Sequence, residues 1–238
     1  MQIDISEISG NFPDFRVAVV VAENLEISAE RPPELAALIA EREEACRKRW
    51  GAGEMELSEI PGVAVWRKAY RAFGIKKTSY RSSVERLVKN VLAGRGLPVI
   101  NAFVDAYNAV SLAHVMPLGA DDLDRVTGNV AFRYARPDDQ FLDMAGGEPL
   151  LTDPDPPKEG EVVYADRDKV LCRRWNWRQD VRSLVTPLTH RAILTAQSNG
   201  EGDLDAAVAD LVGLIQRFCG GTGRVAIADH KQPVVPFA

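Results

Sequence analysis

Cysteine, histidine and long hydrophobic runs are all scarce in this chain of 238 residues, and each scarcity excludes something. The 3 cysteines, Cys46, Cys172 and Cys219, are odd in number, far apart and without a C-x-x-C pair, so neither a disulfide framework nor a thiolate zinc site is indicated. A reducing cytoplasm is the expected compartment. The 3 histidines, His114, His190 and His230, lack the paired spacing of metal ligands, and neither a metal nor a cofactor is expected. The longest apolar run, Val17 to Ala22, is far short of the roughly 20 residues of a membrane span. Asp4 and Glu7 stand where a secretory leader has basic residues, so neither export nor a membrane partner is expected. Walker, G-x-S-x-G, H-E-x-x-H and strand-borne G-x-G-x-x-G signatures are absent as well. Cys219-Gly220-Gly221-Thr222-Gly223 follows a helical pattern and reads as a helix stop.

What is present is a globular composition, 46% hydrophobic and 26% charged, which excludes disorder, collagen and coiled coil. The charge is unevenly placed. Arg67 to Arg95 holds nine basic residues against the single acid Glu85, so a segment of +8 sits in a chain of net charge −5, and the remainder carries −13. A basic strip on an acidic body attracts a polyanion locally and repels it elsewhere, as an RNA-binding face does; a solvated face balanced by acids brought near in the fold gives the same pattern.

Phe15 to Ala22 reads as a strand buried on both faces. Pro32-Pro33 opens a helix to about Trp50 that Gly51-Ala52-Gly53 ends, and Glu54 to Gly62 is a loop or short turn. Ser82-Ser83-Val84-Glu85 is a capping box for a second helix with Val84, Leu87, Val88, Val91 and Leu92 on one face. Asn101 caps a third helix to about Val115, on which Asp105 and Asn108 share a face. Strands follow at Val126 to Ala135, Glu161 to Ala165, Lys169 to Trp175, Ala192 to Ala196 and Arg224 to Ala228, with turns at Gly146-Gly147 and Asp153 to Pro157, and a helix from Leu204 to Phe218 capped by Asp203. Elements in blocks argue for an α+β fold, a basic helical half packed with a mostly antiparallel sheet. Residues 1–238 read as one domain: a strand-and-helix extension over 1–53 and a core over 54–238.

Two constellations carry possible chemistry. One is Asn101, Asp105, Asn108 and Ser111, running into Gly119-Ala120-Asp121-Asp122-Leu123-Asp124; capping and surface solvation account for it equally simply. The other is Arg173-Arg174-Trp175-Asn176-Trp177-Arg178-Gln179-Asp180, followed by Thr186, Thr189 and His190, where tryptophans and arginines stack on bases and grip phosphate, or where the rings fill a core and cover its edge.

Arg81 to Asp124, with Leu97-Pro98-x-Ile100-Asn101, Val104-Asp105-x-x-Asn108, Pro117-x-Gly119 and Asp122-Leu123-Asp124, resembles the first part of the B3/B4 domain of the bacterial phenylalanyl-tRNA synthetase β subunit, in particular its free-standing relatives. Trp175 to Ala196 is the expected second motif. The resemblance implies an α+β domain that in the synthetase forms the editing site, where tyrosine wrongly esterified to tRNA is hydrolysed. By position, Asn108 matches an asparagine of that pocket, and Asp180 or Gln179 falls near the region supplying its glutamate. The pocket histidine, two residues after the motif's proline, is Gly119 here, a departure that puts tyrosine specificity in doubt.

On this basis Asn108 and Asp180 are the expected catalytic residues, and Asn101, Trp175, Asn176, Arg178, Gln179 and Thr186 the substrate-binding ones. Lys76, Lys77, Arg81, Arg86 and Lys89 are the expected RNA contacts. The partner is the 3′ end of an aminoacyl-tRNA, with no DNA expected. Ester hydrolysis is the first reading; RNA binding without catalysis and binding of a small molecule such as an amino acid are the alternatives. A pocket in the second motif requires the strand to break near Asn176 or Trp177, bringing Trp175 and Arg178 into one concavity facing Asn108 with Trp177 packed elsewhere.

Overall fold

The six-residue apolar run lies in the middle of a sheet. A computed structural model describes residues 1–51, 55–76, 79–145, 148–149 and 156–237. The elements, in chain order, begin with β1 (Gln2–Asp4), a one-turn helix α1 (Ser6–Ser9), β2 (Phe15–Glu23), α2 (Pro33–Trp50), α3 (Pro61–Ala72), α4 (Ser83–Leu92) and α5 (Ala102–His114). There follow β3 (Leu118–Asp122), β4 (Val130–Tyr134), β5 (Met144–Ala145), β6 (Glu148–Pro149), β7 (Val162–Ala165), β8 (Val170–Arg173), β9 (Arg178–Gln179), β10 (Arg191–Asn199), α6 (Leu204–Cys219), β11 (Thr222–Ala228) and β12 (Val234–Pro236). Lys77, Gly146-Gly147 and the stretch Asp153 to Asp155 lie outside the described residues.

A four-stranded sheet runs β11-β2-β10-β3 and a six-stranded one β12-β1-β4-β7-β8-β9, with β5 and β6 a separate pair. Pairing is antiparallel except between β1 and β4, so the fold is α+β with a mostly antiparallel sheet content. β2 is central because Val17 to Ala22 has no polar face to leave in water, and all six residues are buried. Each valine so buried contributes about 1.5–3 kcal/mol. α6 covers β2 and packs on α5, and α2 packs on α5 and α4. At the start of β2, Phe15 meets Phe132 of β4 at 5.2 Å, Trp175 at 4.9 Å and Trp66 of α3 at 6.4 Å, so aromatic edges join the two sheets and α3. Residues 1–51 thereby enter both sheets, β1 between β12 and β4, β2 between β11 and β10.

α5 carries the site and is pinned at both ends. Asn101 Oδ1 accepts from the Val104 amide at 2.9 Å, and its amide group donates to Val185 O at 3.3 Å. Asp105, fully buried, accepts from Arg31 Nε at 2.8 Å and the Ile100 amide at 3.0 Å. Ser111 Oγ donates to Met116 O at 2.6 Å as the chain leaves through Val115, whose φ of 48° is left-handed. Gly62, in the first turn of α3, lies against that exit so closely that a Cβ would collide with the Val115 carbonyl oxygen.

Two elements depart from the sequence reading. The stretch from Pro61, read as loop as far as Gly62 and unassigned after it, forms α3, whose Val63, Trp66, Ala69 and Tyr70 are buried at helical spacing. Leu118 to Asp122, given no element in the sequence reading, is the edge strand β3, paired along Ala192 to Ala196 of β10. The second helix also differs in its cap. Ser82 Oγ accepts from the Glu85 amide at 3.4 Å, but the Glu85 carboxylate turns to Arg67 and Arg81 instead of reaching back to the Ser82 amide.

Candidate functional site

α5, β3, β10 and the β8–β9 hairpin enclose a cavity of about 160 Å³, close to the roughly 150 Å³ hole that accepts a benzene ring. Its lining passes from buried Tyr107, Asp121, Tyr164 and Thr195 to part-exposed Ser83, Trp177 and Arg178, which mark the mouth. Asn108, 8% exposed, lines it from α5, and among the described residues its side chain has no hydrogen-bond partner. One wall is a connected chain of polar groups. Tyr70 Oη donates to Asn176 Oδ1 at 2.9 Å, Asn176 Nδ2 to Gln197 Oε1 at 3.1 Å, and Gln197 Nε2 to Thr195 Oγ1 at 3.1 Å.

The β8–β9 turn is built by two consecutive left-handed residues, Arg174 at φ 45° and Trp175 at φ 66°. Such residues each cost about 1–2 kcal/mol without glycine. The Trp175 amide donates to Val162 O at 2.6 Å and the Trp177 amide to Arg173 O at 3.0 Å. This turn reverses the expected sides. Trp175, 0% exposed, enters the core against Phe12, Phe15, Trp66 and Phe73, while Trp177 stands at the cavity. The chain does break, but at Arg174 and Trp175, so Trp175 is no pocket wall and Trp177 takes that place beside Arg178. The Trp177 ring meets the guanidiniums of Arg174 at 4.4 Å and Arg178 at 4.6 Å.

Asp121, on β3, is 4% exposed. Its Oδ1 accepts from Ser183 Oγ at 2.6 Å and Gln179 Nε2 at 2.8 Å; Gln179 also donates to Ala120 O. Burial pushes the Asp121 carboxyl up to about 7, against the pull of those two hydrogen bonds. Burial likewise raises the phenols of Tyr107 and Tyr164 and the Cys172 thiol, all lining the same cavity, so these remain neutral. Asp121 is thus the carboxyl poised to exchange a proton near neutrality.

Of the residues expected from sequence, Asn108, Asn176, Arg178 and Gln179 line the cavity; the other three expected ligand contacts and Asp180 do not. Asp180, fully buried, accepts from the Arg182 amide and guanidinium and from the Leu142 amide, capping the short turn Val181–Ser183, so its oxygens are fully engaged in structure. Asn101 is the helix cap described above. Thr186 sits in an exposed turn, its hydroxyl accepting from the Leu188 amide at 3.2 Å. Gly119 faces open space, with nothing within 4 Å of a Cβ placed there. Sequence reasoning placed Trp177 away from the pocket, noted Asp121 only as part of the polar run after Gly119, and passed over Tyr107, Tyr164, Thr195 and Gln197, which carried no signal.

Among the expected RNA contacts, Lys76, Arg86 and Lys89 are exposed, and Lys77 lies outside the described residues. Arg81 is engaged otherwise: with Arg67, it brackets Glu85, 1% exposed, at 2.9 and 2.7 Å, because a buried carboxylate needs opposite charge. Arg178, ion-paired with Asp143, is close enough to Arg86 that, after loss of solvent, its charge is the main influence holding the Arg86 guanidinium below its ordinary range. Arg178 lines the mouth, and Arg86 stands exposed on α4 one turn beyond Ser83, which also lines it. Among the described residues no three His, Cys, Asp or Glu side chains gather as a metal ion would require, and no helix is long and apolar enough to cross a membrane.

The family model of the B3/4 domain matches residues 65–202. The phenylalanine–tRNA ligase β subunit of Fusobacterium nucleatum is 32% identical over 105 residues, 44% of this chain and 12% of that subunit. The corresponding subunit of Methylococcus capsulatus is 35% identical over 92 residues, 39% of this chain and 11% of that subunit, so this chain spans a small part of either relative. A crystal structure of an N-terminal fragment of the phenylalanyl-tRNA synthetase β subunit from Pyrococcus horikoshii aligns with a TM-score of 0.44 and 12% identity, covering 93% of this chain and 50% of that one.

Proposed function

We propose, from the premise that this chain belongs to the B3/4 domain family, that its cavity receives the amino-acid end of an aminoacyl-tRNA in the cytoplasm and hydrolyses the ester. One observation carries this reading: a ring-sized, polar-lined cavity with Arg178 at its mouth and exposed Arg86 on α4, one turn beyond the cavity-lining Ser83. The volume suits an amino-acid side chain and is too small for a nucleotide. The guanidiniums suit the terminal phosphates of the strand that delivers it. In the hydrolysis, water adds its hydroxyl to the acyl carbon, the bond to the ribose oxygen breaks, and that oxygen takes the proton. Asn108 offers a partner-free amide to orient the carbonyl or the water, and the Asn176-Gln197-Thr195 chain supports the wall against which the ester lies. Deacylation of a panel of mischarged tRNAs tests this. Release of one or a few amino acids, lost in Asn108→Ala, is expected; no release from any member overturns it.

A second reading, tRNA binding without hydrolysis, is favoured by the open space at Gly119, where the family resemblance places a histidine. Gly119 does not have a positive φ, so a side chain fits there without backbone strain. Gly119→His separates the two readings. If the chain only binds, the wild type is inert and the variant gains deacylation; if it hydrolyses by its own means, the histidine fills the cavity and slows release.

A further inference from the structure

The floor of the cavity has an unusual chemical bias: one carboxyl, two phenol rings and no lining cation. Asp121 uses only Oδ1 for its bonds to Ser183 and Gln179, which leaves Oδ2 without a partner among the described residues. Tyr164, 3% exposed, lines the same cavity with a buried hydroxyl that has no partner among the described residues, and Tyr107 lines it too. A buried polar group left unpaired costs about 1–3 kcal/mol, so the Tyr164 hydroxyl points to something that completes it, and Asp121 Oδ2, on a carboxyl that lines the same cavity, is free to meet the same ligand. Asp121 is buried, and the cavity groups beside it, Tyr107, Tyr164 and Cys172, are uncharged; of the charged groups that act on it or line the cavity, Lys169 is paired with Asp166, Asp180 with Arg182, and Arg178, at the mouth, with Asp143.

We infer that this floor is a cation subsite that takes a protonated amine, with Asp121 Oδ2 and the Tyr164 hydroxyl as acceptors and the Tyr107 and Tyr164 rings as walls. A carboxylate beside aromatic faces satisfies an ammonium through both charge and ring quadrupole, and it offers a neutral apolar tip nothing in exchange for leaving Asp121 unpaired. The inference rests on the cavity being the ligand site proposed above, but not on hydrolysis. The amine is that of a side chain or the α-amine of the esterified amino acid; the chemistry is shared, and the test separates the two sources.

The experiment titrates the full chain with L-lysinamide, its Nε-acetyl and Nα-acetyl derivatives and L-norleucinamide, followed by calorimetry or NMR. Lysinamide is expected to bind about tenfold or more tightly than whichever derivative blocks the seated amine, the scale of one charge-assisted hydrogen bond. Loss with the Nε-acetyl derivative and with norleucinamide assigns a side-chain amine; loss with the Nα-acetyl derivative alone assigns the α-amine. Asp121→Asn should abolish the preference. Equal binding of all four amides, or none, overturns the inference, as does a preference that survives in Asp121→Asn; the wild-type comparison needs no variant to fold. Amine-selective binding with no tRNA deacylated defeats the hydrolytic function and leaves the subsite standing. Deacylation without amine preference does the reverse.

Discussion

At the scale of single residues, buried polar side chains divide into those that hold the fold and those that face the cavity, and the division predicts different phenotypes for neighbours on one helix. Asp105 satisfies Arg31 and the Ile100 amide, so Asp105→Ala strands a guanidinium and a backbone donor and should cost about 2–3 kcal/mol in denaturant unfolding. Asn108 has no partner to abandon among the described residues, and Asn108→Ala should leave the unfolding free energy within about 0.5 kcal/mol while weakening ligand binding or deacylation about tenfold. Asp121 predicts a pH effect. Folding raises its carboxyl to about 7, so between roughly pH 4 and 7 the folded protein keeps a proton that the unfolded chain has released, and stability falls as pH rises through that window. Asp121→Asn removes the fall. Relative to wild type it should gain on the order of 3 kcal/mol between about pH 5 and pH 8, measured as a shift of urea midpoint. Asp139 and Asp210, held low by their hydrogen bonds to arginine or histidine, work in the opposite sense in both proteins and cancel in the difference.

At the scale of elements, the hairpin and the basic helix are the two pieces whose sequence could be read two ways. Trp175 and Trp177 are two apart, which on a regular strand puts them on one face. The left-handed pair Arg174-Trp175 separates them instead, a choice made by the core vacancy among Phe12, Phe15 and Trp66 and invisible in local sequence. Trp175→Ala should therefore cost about 3–5 kcal/mol, and Trp177→Ala much less stability but much of the ligand affinity, as read by thermal unfolding and titration. The charge strip splits similarly. Replacing Lys76, Arg86 and Lys89 with Ala should flatten the slope of log K against log salt for tRNA by about 2–3 with little change in stability, whereas Arg67 and Arg81 are spent on Glu85. Helices with strong caps and the apolar strand β2 were legible because local signals and burial agree there. β3 was not, since Gly119, Asp121 and Asp122 are poor strand formers held in place by β10, and α3 was hidden by its charges. Of the site, Asn108, Asn176, Arg178 and Gln179 were legible from motif and composition, while Trp177 was read on the wrong side of its hairpin. Tyr107, Tyr164, Thr195 and Gln197 were not, because they come together only when α5 and strands from both sheets converge.

At the scale of the whole molecule, the family match begins at residue 65, yet the strands ahead of it are structural members of both sheets. Deleting residues 1–53 would open a gap between β11 and β10 and uncover the Val17 partners, so the remaining fragment should show no cooperative thermal transition by circular dichroism, although it contains the whole matched region. The place of β2 also bears on how the chain is born. β2 ends at Glu23 and its partner β10 begins at Arg191, 168 positions later. At about 5–20 residues per second of synthesis, the most apolar strand waits on the order of 10–30 s outside the ribosome before anything can zip onto it. During that interval it is an unpaired, valine-rich segment of the kind that nucleates aggregates, so the hazard lasts for as long as the chain from residue 24 to β10 takes to be made and is governed by the order of synthesis, not by the stability of the finished fold.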